Sequence, residues 1–226
     1  MSLDTQRLQA ICFDIDGTLS DTDDRWVLQL NRLLRPLSWL FPQRDPTRFS
    51  RWVVMGLDAP GNWAYHLLDR LGLDDEAGRL ISSLSQRRKD HSGRHLIVKN
   101  VPEMLAGLQG RWPLAVVSAR GERSTLAFLD QFELRPYFQV VATALTCEHT
   151  KPFPDPIHWA AERMGVPPQA CLMVGDTVVD IRAGKAAGAQ TVGVLCGFGS
   201  RQELSRAGAD LILDSTADLV EVLAGK

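Results

Sequence analysis

The stretch AICFDIDGTL, residues 10–19, decides the fold of this chain. Its first half belongs to an apolar run, Gln9 to Phe13, that is typical of a short strand buried inside a parallel sheet. A Gly-Thr pair then supplies the turn that ends the strand. Asp14 and Asp16 therefore follow the carboxyl end of a strand, and ligands of open α/β sheets bind at that edge. The stretch predicts an α/β fold with a site beside its first strand.

The two carboxylates of this stretch have more than one interpretation. Separated by one residue, they can converge on a hard cation such as Mg²⁺, which takes oxygen ligands and keeps waters and substrate phosphate oxygens. A solvated turn at the end of a strand has the same D-x-D-G pattern. A calcium loop of the EF-hand type requires glycine at its sixth position and glutamate at its twelfth, where this chain has Leu19 and Arg25. The calcium loop is therefore excluded, and the other two interpretations stay open.

Two later motifs carry groups that suit a phosphate. The apolar run 114–117 predicts another buried strand, and Ser118 follows it, before a helix predicted over 122–132. A hydroxyl beside the backbone N–H groups at a helix start suits a phosphate oxygen, although a capping serine has the same appearance. Lys151 lies in a Pro-rich loop that restricts the backbone. There its ammonium group either binds phosphate as a point charge or is solvated.

A further motif also has carboxylates directly after a predicted strand. The apolar run 171–174 is followed by Gly-Asp-Thr-Val-Val-Asp, which places Asp176 and Asp180 before an alanine-rich helix predicted over 181–187. Acidic residues at a helix start also stabilise the helix through its dipole, so this motif alone has an ordinary interpretation. Because each motif follows a buried strand or lies in a constrained loop, their order along the chain favours one shared site.

Together these motifs resemble those of the haloacid dehalogenase superfamily of phosphotransferases, in the subgroup with a helical cap, and the resemblance covers nearly the whole chain. It implies that Asp14 is the nucleophile and that Asp16 acts as general acid and base. Dehalogenases of the superfamily lack the second aspartate and phosphonate-cleaving relatives carry alanine there, so Asp16 favours phosphate esters. The binding residues that the resemblance implies are Ser118, Ala119 and Lys151 for phosphate, Asp14, Asp16 and Asp176 for the metal ion, and Asp180 as a support of that ion.

The chemistry implied is Mg²⁺-dependent hydrolysis of the phosphate monoester of a small metabolite through an aspartyl-phosphate. Phosphoryl transfer needs positive charge around the equatorial oxygens, which Mg²⁺, Lys151 and backbone N–H groups would supply. Asp16 would protonate the departing alkoxide and then take a proton from the attacking water. A phosphomutase with the same aspartyl-phosphate and a non-catalytic protein that binds a phosphorylated metabolite are the alternatives. A receiver-type signalling domain, the other binding alternative, is much shorter, lacks this insertion and has no nucleophile and acid separated by a single residue.

The composition is that of a soluble enzyme. With 226 residues, of which 45% are hydrophobic, the chain can bury a substantial core. A formal charge of −2 carries no signal for nucleic acid as a partner. No apolar run reaches the length of a membrane helix and the first residues lack the pattern of a secretion signal, so we expect a cytoplasmic protein that binds no membrane. Monomer and dimer are both open. The four scattered cysteines are expected to be reduced.

Two patterns divide the chain. In the C-terminal half, short apolar strands alternate with helices, which predicts a doubly wound, Rossmann-like parallel sheet with helices on both faces. After the first strand and up to about residue 98 the apolar spacing is helical, as in Trp26, Leu30 and Leu33. We therefore expect an α/β catalytic core of residues 1–19 and 98–226 and an inserted α-helical cap domain of residues 20–97. The further strand candidates are residues 139–143, 172–174, 191–195 and 210–213.

Substrate selectivity is expected to lie in the cap, because a cap that closes over substrate excludes water and brings selectivity residues to the reacting group. The stretch 48–58 is the best candidate, since a glycine interrupts its helical pattern and its basic groups could meet an anionic substrate. Packing of the cap interior, with the arginines as a solvated face, explains the same stretch. The residues expected to select substrate are Arg48, Arg51, Gly56, Leu57 and, in the core, Arg120.

Overall fold

The computed structural model describes residues 3–21, 33–40, 46 and 96–224. The chain forms two compact units, one of Met1–Asp23 with His95–Lys226 and the other of Asp24–Arg94. The second unit falls within the predicted cap, and the 3₁₀ helix Arg35–Leu40 is the element that the structure describes there. The bounds of the cap, residues 20–97, and its helical character beyond this element stay a prediction.

Within the described residues, strands form one parallel sheet whose order is β3-β2-β1-β4-β5-β6. The strands are β1 (Ala10–Phe13), β2 (Leu114–Val117), β3 (Val140–Ala142), β4 (Cys171–Gly175), β5 (Gln190–Val194) and β6 (Leu211–Leu213). The order reverses between β1 and β4, and ligands of open sheets bind at such a switch point. The predicted doubly wound sheet is confirmed, and each predicted strand overlaps an observed one.

Helices connect the strands of the sheet. The described α-helices are α1 (Val101–Leu108), α2 (Glu122–Gln131), α3 (Asp155–Met164), α4 (Val178–Ala186), α5 (Arg201–Ala207) and α6 (Leu219–Ala224). A 3₁₀ helix, Thr216–Asp218, precedes α6. The helices predicted over 122–132 and 181–187 correspond to α2 and α4. In the part of the chain that the structure describes, no helix is long and apolar enough to cross a membrane.

The sheet buries a separate apolar cluster on each face, because successive side chains of a strand point to opposite sides. Ile11 and Phe13 of β1 pack in one cluster with Leu105 of α1 and Phe128 of α2. Cys12 packs in the other cluster, where small side chains of α3 and α4 cover the sheet. All of β1 is buried. Residues that follow β1 therefore start from a rigid element, which favours precise placement of functional groups.

The two segments that lead into and out of residues 22–95 lie side by side. Ser20 pairs with Ile97 in an antiparallel bridge, and the backbone N–H of Asp21 donates to the Leu96 carbonyl at 3.0 Å. The side-chain hydroxyl of Ser20 donates to the same carbonyl at 3.2 Å. Residues 22–95 are therefore inserted at one point of the α/β unit, directly after the turn that carries Asp16.

Candidate active site

Asp14 follows β1 directly and is buried, with 6% of its surface exposed. Its backbone N–H donates to the Val174 carbonyl at 2.9 Å, which extends the pairing of β1 with β4. Its carboxylate accepts a hydrogen bond from Lys151 Nζ at 2.7 Å. Burial raises the pKa of Asp14 to about 7; Lys151 opposes this rise, while Asp180 and Asp16 add to it. Asp14 is thus a buried carboxyl group whose ionised form depends on nearby positive charge.

Lys151 joins two carboxylates inside the protein. Its Nζ donates to Asp14 at 2.7 Å and to Asp180 at 2.6 Å, and 3% of its side chain is exposed. Burial disfavours the charged form, but the attraction of the two carboxylates outweighs it and raises the pKa of Lys151 above its ordinary value. The lysine is therefore charged at neutral pH. The structure excludes the interpretation of Lys151 as a solvated loop residue.

Asp14, Asp176 and Asp180 form a group of buried carboxylates in the described part of the chain. Each offers an oxygen, and these oxygens all lie within 4.8 Å of one another. Lys151 brings one positive charge to this group and pairs with two of its carboxylates, those of Asp14 and Asp180. Mg²⁺ and Ca²⁺ take carboxylate oxygens as ligands, and a dication inverts the local preference by favouring the ionised carboxylates. The donor set therefore fits a hard divalent cation.

Asp176 is fully buried and is held by the loop after β5. The backbone N–H of Phe198 donates to its carboxylate at 2.8 Å, and that of Gly199 donates to its carbonyl at 3.1 Å. Gly197 packs directly against this carboxylate: a Cβ there would lie 2.1 Å from Asp176 Oδ2 and 2.5 Å from the carbonyl oxygen of Gly17. The close approach requires glycine, because a side chain would push either the carboxylate or the turn after β1 out of place.

Replacing Gly197 by alanine is expected to disturb Asp176 and so to weaken both folding and the metal binding predicted for this group of carboxylates. The new Cβ meets a buried carboxylate and backbone rather than the end of a flexible side chain. We expect the free energy of unfolding to fall by about 1–3 kcal/mol and the Mg²⁺ concentration needed for activity to rise. Thermal unfolding and Mg²⁺ titration of activity measure the two effects.

Gly121→Ala is the matched control for this substitution. A Cβ at Gly121 meets no heavy atom within 4 Å, and the φ of Gly121 is −65°, which any residue adopts. Its unfolding and its Mg²⁺ requirement should stay close to those of the parent chain. A Gly197→Ala protein with the melting temperature and Mg²⁺ requirement of the parent would show that the close approach of Gly197 to Asp176 is not needed for stability or metal binding.

Asp180 lies in the first turn of α4 and uses both carboxylate oxygens. Its Oδ2 accepts hydrogen bonds from the backbone N–H of Thr177 at 3.0 Å and from the Thr177 hydroxyl at 2.7 Å. Its Oδ1 accepts from Lys151. The resemblance to the superfamily implies indirect support of the metal ion by Asp180. The geometry supports a closer place, since the carboxylate belongs to the group formed with Asp14 and Asp176.

The side chain of Asp16 is bound by Arg120. Arg120 Nε donates to Asp16 Oδ2 at 2.6 Å, and Arg120 Nη2 donates to Asp16 Oδ1, so the contact is bidentate. The exposed fraction is 38% for the Asp16 side chain and 12% for that of Arg120. The carboxylate group found among the described residues does not include Asp16. Metal binding and acid–base catalysis by Asp16 stay predictions, and the second role requires the ion pair to open.

Ser118 lies at the same sheet edge as Asp14, because β1 and β2 are neighbours. It is buried, and its backbone N–H donates to the Ala142 carbonyl at 3.0 Å. Its hydroxyl oxygen accepts from the backbone N–H of Arg120 at 3.1 Å, which forms a tight turn, and Ala119 within that turn is exposed. Phosphate binding by Ser118 and Ala119 stays a prediction that this placement supports.

Thr216 is a site residue that the sequence analysis missed. Its buried hydroxyl donates to the carbonyl of Thr18 at 2.6 Å, and Cys196 Sγ lies 3.4 Å from both the Thr216 hydroxyl and the Gly17 carbonyl. The turn after β1 is thereby held by the segment after β6. Thr216 follows an apolar strand closely, so the rule that identified the other polar residues could have found it.

Replacing Thr216 by valine is expected to loosen the turn that carries Asp16. Valine keeps the shape but removes the donor, which leaves the buried carbonyl of Thr18 without this hydrogen bond and costs about 1–3 kcal/mol of unfolding free energy. We expect kcat to fall severalfold as well. Thr216→Ser, which keeps the hydroxyl, should restore kcat. If Thr216→Val keeps the kcat of the parent, the hydrogen bond does not position the turn; if Thr216→Ser loses as much kcat as Thr216→Val, the methyl group of Thr216 is required as well.

Arg48, Arg51, Gly56 and Leu57, the selectivity residues predicted for the cap, lie outside the described residues. Arg120 is described and contacts Asp16, and its role in substrate selection stays a prediction. His149, the other basic residue near Lys151, pairs with Asp155 at 3.2 Å and is half exposed.

Known proteins resemble this chain over most of its length. The family model described as haloacid dehalogenase-like hydrolase matches residues 11–194. The phosphoglycolate phosphatase of Escherichia coli strain K12 is 28% identical over 235 residues, which cover 96% of this chain and 92% of that protein. The pyrophosphatase PpaX of Bacillus cereus is 28% identical over 225 residues, covering 96% and 97% of the two chains. The crystal structure of a hydrolase from Pseudomonas syringae has a TM-score of 0.70 at 25% identity and covers 96% of this chain and 98% of its own.

Proposed function

Because the chain belongs to the family of haloacid dehalogenase-like hydrolases, we propose that it is a Mg²⁺-dependent phosphatase that hydrolyses the phosphate monoester of a small metabolite through an aspartyl-phosphate. The observation that carries this proposal is the placement of Asp14 at the end of β1, bonded to Lys151 and within a group of three buried carboxylates. The relatives named phosphoglycolate phosphatase support a small phosphorylated substrate.

In this function Asp14 is the nucleophile. An oxygen of its carboxylate attacks the phosphorus atom, and the bond from phosphorus to the ester oxygen breaks, which leaves an aspartyl-phosphate. Lys151 keeps a positive charge beside the attacking carboxylate and beside the position of the transferred group. A bound dication would neutralise charge between the carboxylates and the phosphate, and Asp14, Asp176 and Asp180 are the residues placed to hold it.

Asp16 is proposed as the general acid and base. It protonates the departing ester oxygen and afterwards takes a proton from the water that attacks the aspartyl-phosphate. Its place two residues after the nucleophile, in a turn held by Thr216, supports this role. Ser118 and Ala119 are proposed to bind phosphate oxygens beside it. Residues 20–97 are proposed as the cap that selects the leaving group. The enzyme is proposed to be located in the cytoplasm.

The proposal is tested by phosphate release from a panel of phosphorylated metabolites. Purified protein should release phosphate in the presence of Mg²⁺, lose the activity on chelation with EDTA and regain it when excess Mg²⁺ is added. Release that persists at full rate after EDTA treatment would contradict metal dependence. A phosphomutase would instead convert one phosphorylated isomer into another with little release, and the same reaction mixtures distinguish the two by product analysis.

Replacing Asp176 by asparagine is expected to raise the Mg²⁺ concentration for half-maximal activity by about 10- to 100-fold. The change removes a negative charge from the carboxylate group but keeps the hydrogen-bond acceptor for Phe198. Activity measured at a series of Mg²⁺ concentrations gives the result. Asp214→Asn is the control, because Asp214 is exposed and pairs with Arg201 at the surface. An unchanged Mg²⁺ dependence in Asp176→Asn would place the metal elsewhere.

A further inference from the structure

The bidentate contact of Arg120 with Asp16 engages the residue proposed as general acid. We propose that Arg120 is the binding group for a second anion of the substrate, a carboxylate or phosphate carried by the leaving group, and that this anion displaces Asp16 from the arginine. The inference rests on the proposed phosphatase function and names a substrate class for it: phosphate monoesters whose leaving group is itself an anion.

Arg120 is fixed in place as a permanent element of the core. Its backbone N–H donates to the Ser118 hydroxyl at 3.1 Å, and its carbonyl accepts from the backbone N–H of Ala144 at 2.9 Å. Its guanidinium carbon lies 5.8 Å from the centroid of the Phe128 ring, and 12% of the side chain is exposed. A guanidinium group held in this way presents its donors in a constant direction, which favours binding of a planar or tetrahedral anion.

Asp16 is the member of the pair that can leave. The Asp16 side chain is 38% exposed, about three times the fraction of Arg120, and it lies in a turn rather than in a strand. Because more than a third of the Asp16 side chain is exposed, water can replace Arg120 as its hydrogen-bond partner when the ion pair opens. A carboxylate or phosphate from solution presents the same two oxygens to the same two nitrogens. The substrate anion and Asp16 therefore compete for one bidentate site.

The position of the pair identifies the part of the substrate that is recognised. The transferred phosphoryl group must reach Asp14, and the cation bonded to Asp14 is Lys151. Arg120 bonds instead to Asp16, the residue proposed to protonate the ester oxygen. An anion bound to Arg120 therefore belongs to the leaving group, on the far side of the ester oxygen. Binding of this anion releases Asp16 from Arg120, so that Asp16 can protonate the ester oxygen. A neutral leaving group does not displace Asp16, and the ion pair stays closed.

The experiment compares three esters of two carbons: phosphoglycolate, the bisphosphate of ethylene glycol and the neutral reference 2-hydroxyethyl phosphate. We expect the parent enzyme to have a higher kcat/KM for at least one of the charged esters than for the neutral one. In Arg120→Met the ratio of kcat/KM for the preferred charged ester to kcat/KM for the neutral ester should fall about 30- to 300-fold, as expected for loss of a bidentate charged contact. Arg120→Lys should retain part of the ratio. The charged ester with the larger loss identifies the preferred anion.

Arg123→Met is the matched control, because Arg123 lies three residues further along, is exposed and carries the same charge. It should keep the ratio of the parent. If Arg120→Met lowers kcat/KM for charged and neutral esters by the same factor, or leaves the ratio unchanged, Arg120 does not bind the leaving group and the inference is overturned. A parent enzyme that releases phosphate from none of the three esters, nor from the wider panel, would instead refute the proposed function itself.

Discussion

Asp14→Asn is expected to lower kcat by about 10⁴-fold or more, because an amide cannot form the aspartyl-phosphate. The substitution keeps the shape of a side chain that is 9% exposed, so the fold should persist. Two measurements check the result: steady-state phosphate release, and intact-mass spectrometry of acid-quenched reactions, in which the parent should carry a phosphate adduct and the variant none. The size of the effect follows from the role, since removal of a nucleophile stops the first chemical step.

The matched control for Asp14→Asn is Asp130→Asn, an exposed aspartate of α2. It removes the same charge from the same unit and should keep the activity of the parent. A folded Asp14→Asn protein that hydrolyses its substrate at the parent rate would refute the covalent mechanism.

Lys151→Met is the second substitution with a large expected effect, and it acts on both catalysis and folding. Methionine fills similar space but leaves the carboxylates of Asp14 and Asp180 facing each other without the ammonium between them. Removing one member of a buried ion pair costs about 3–5 kcal/mol. We expect the free energy of unfolding in EDTA to fall by that amount and kcat with saturating Mg²⁺ to fall about 10²- to 10³-fold.

Added Mg²⁺ should distinguish this charge effect from a packing defect. A dication supplies positive charge to the same carboxylates, so Mg²⁺ should raise the melting temperature of Lys151→Met more than that of the parent. Lys185→Met is the control: Lys185 pairs with Asp210 at the same 2.6 Å as Lys151 with Asp180, but 36% of its side chain is exposed. It should cost at most about 1 kcal/mol. If Lys151→Met and Lys185→Met lower the free energy of unfolding equally, burial of Lys151 does not strengthen its ion pairs.

The central strands of this fold could be predicted from the sequence because they are buried on both faces and therefore consist of apolar runs. The runs at 10–13, 114–117 and 171–175 each end at a polar residue that the structure places at one sheet edge. The order of the strands could not be predicted, since apolar runs carry no information about neighbours. It is this order, with β1 between β2 and β4, that places Asp14 close to Asp176 and Asp180.

The partners of the site residues were the part that the sequence could not supply. Lys151 was predicted to bind phosphate from a constrained loop, and the structure adds that it is buried and bonded to two carboxylates. The ion pair of Arg120 with Asp16 joins residues 104 positions apart and depends on the turn formed with Ser118. Local patterns describe which groups follow a strand, whereas the pairing of charges depends on tertiary distances.

The hydrogen bond between Thr216 and Thr18 joins residues 198 positions apart, so it cannot form until almost the whole chain has been synthesised. A nascent chain leaves the ribosome from its N-terminus and folds as its parts become available. Asp14 therefore emerges long before Lys151 and Asp176, and β1 has no neighbours until β2 and β4 have been made. A chain terminated early carries Asp14, the proposed nucleophile, without Lys151 and the other two carboxylates of the group. We therefore expect prematurely ended chains to be inactive rather than unselective hydrolases.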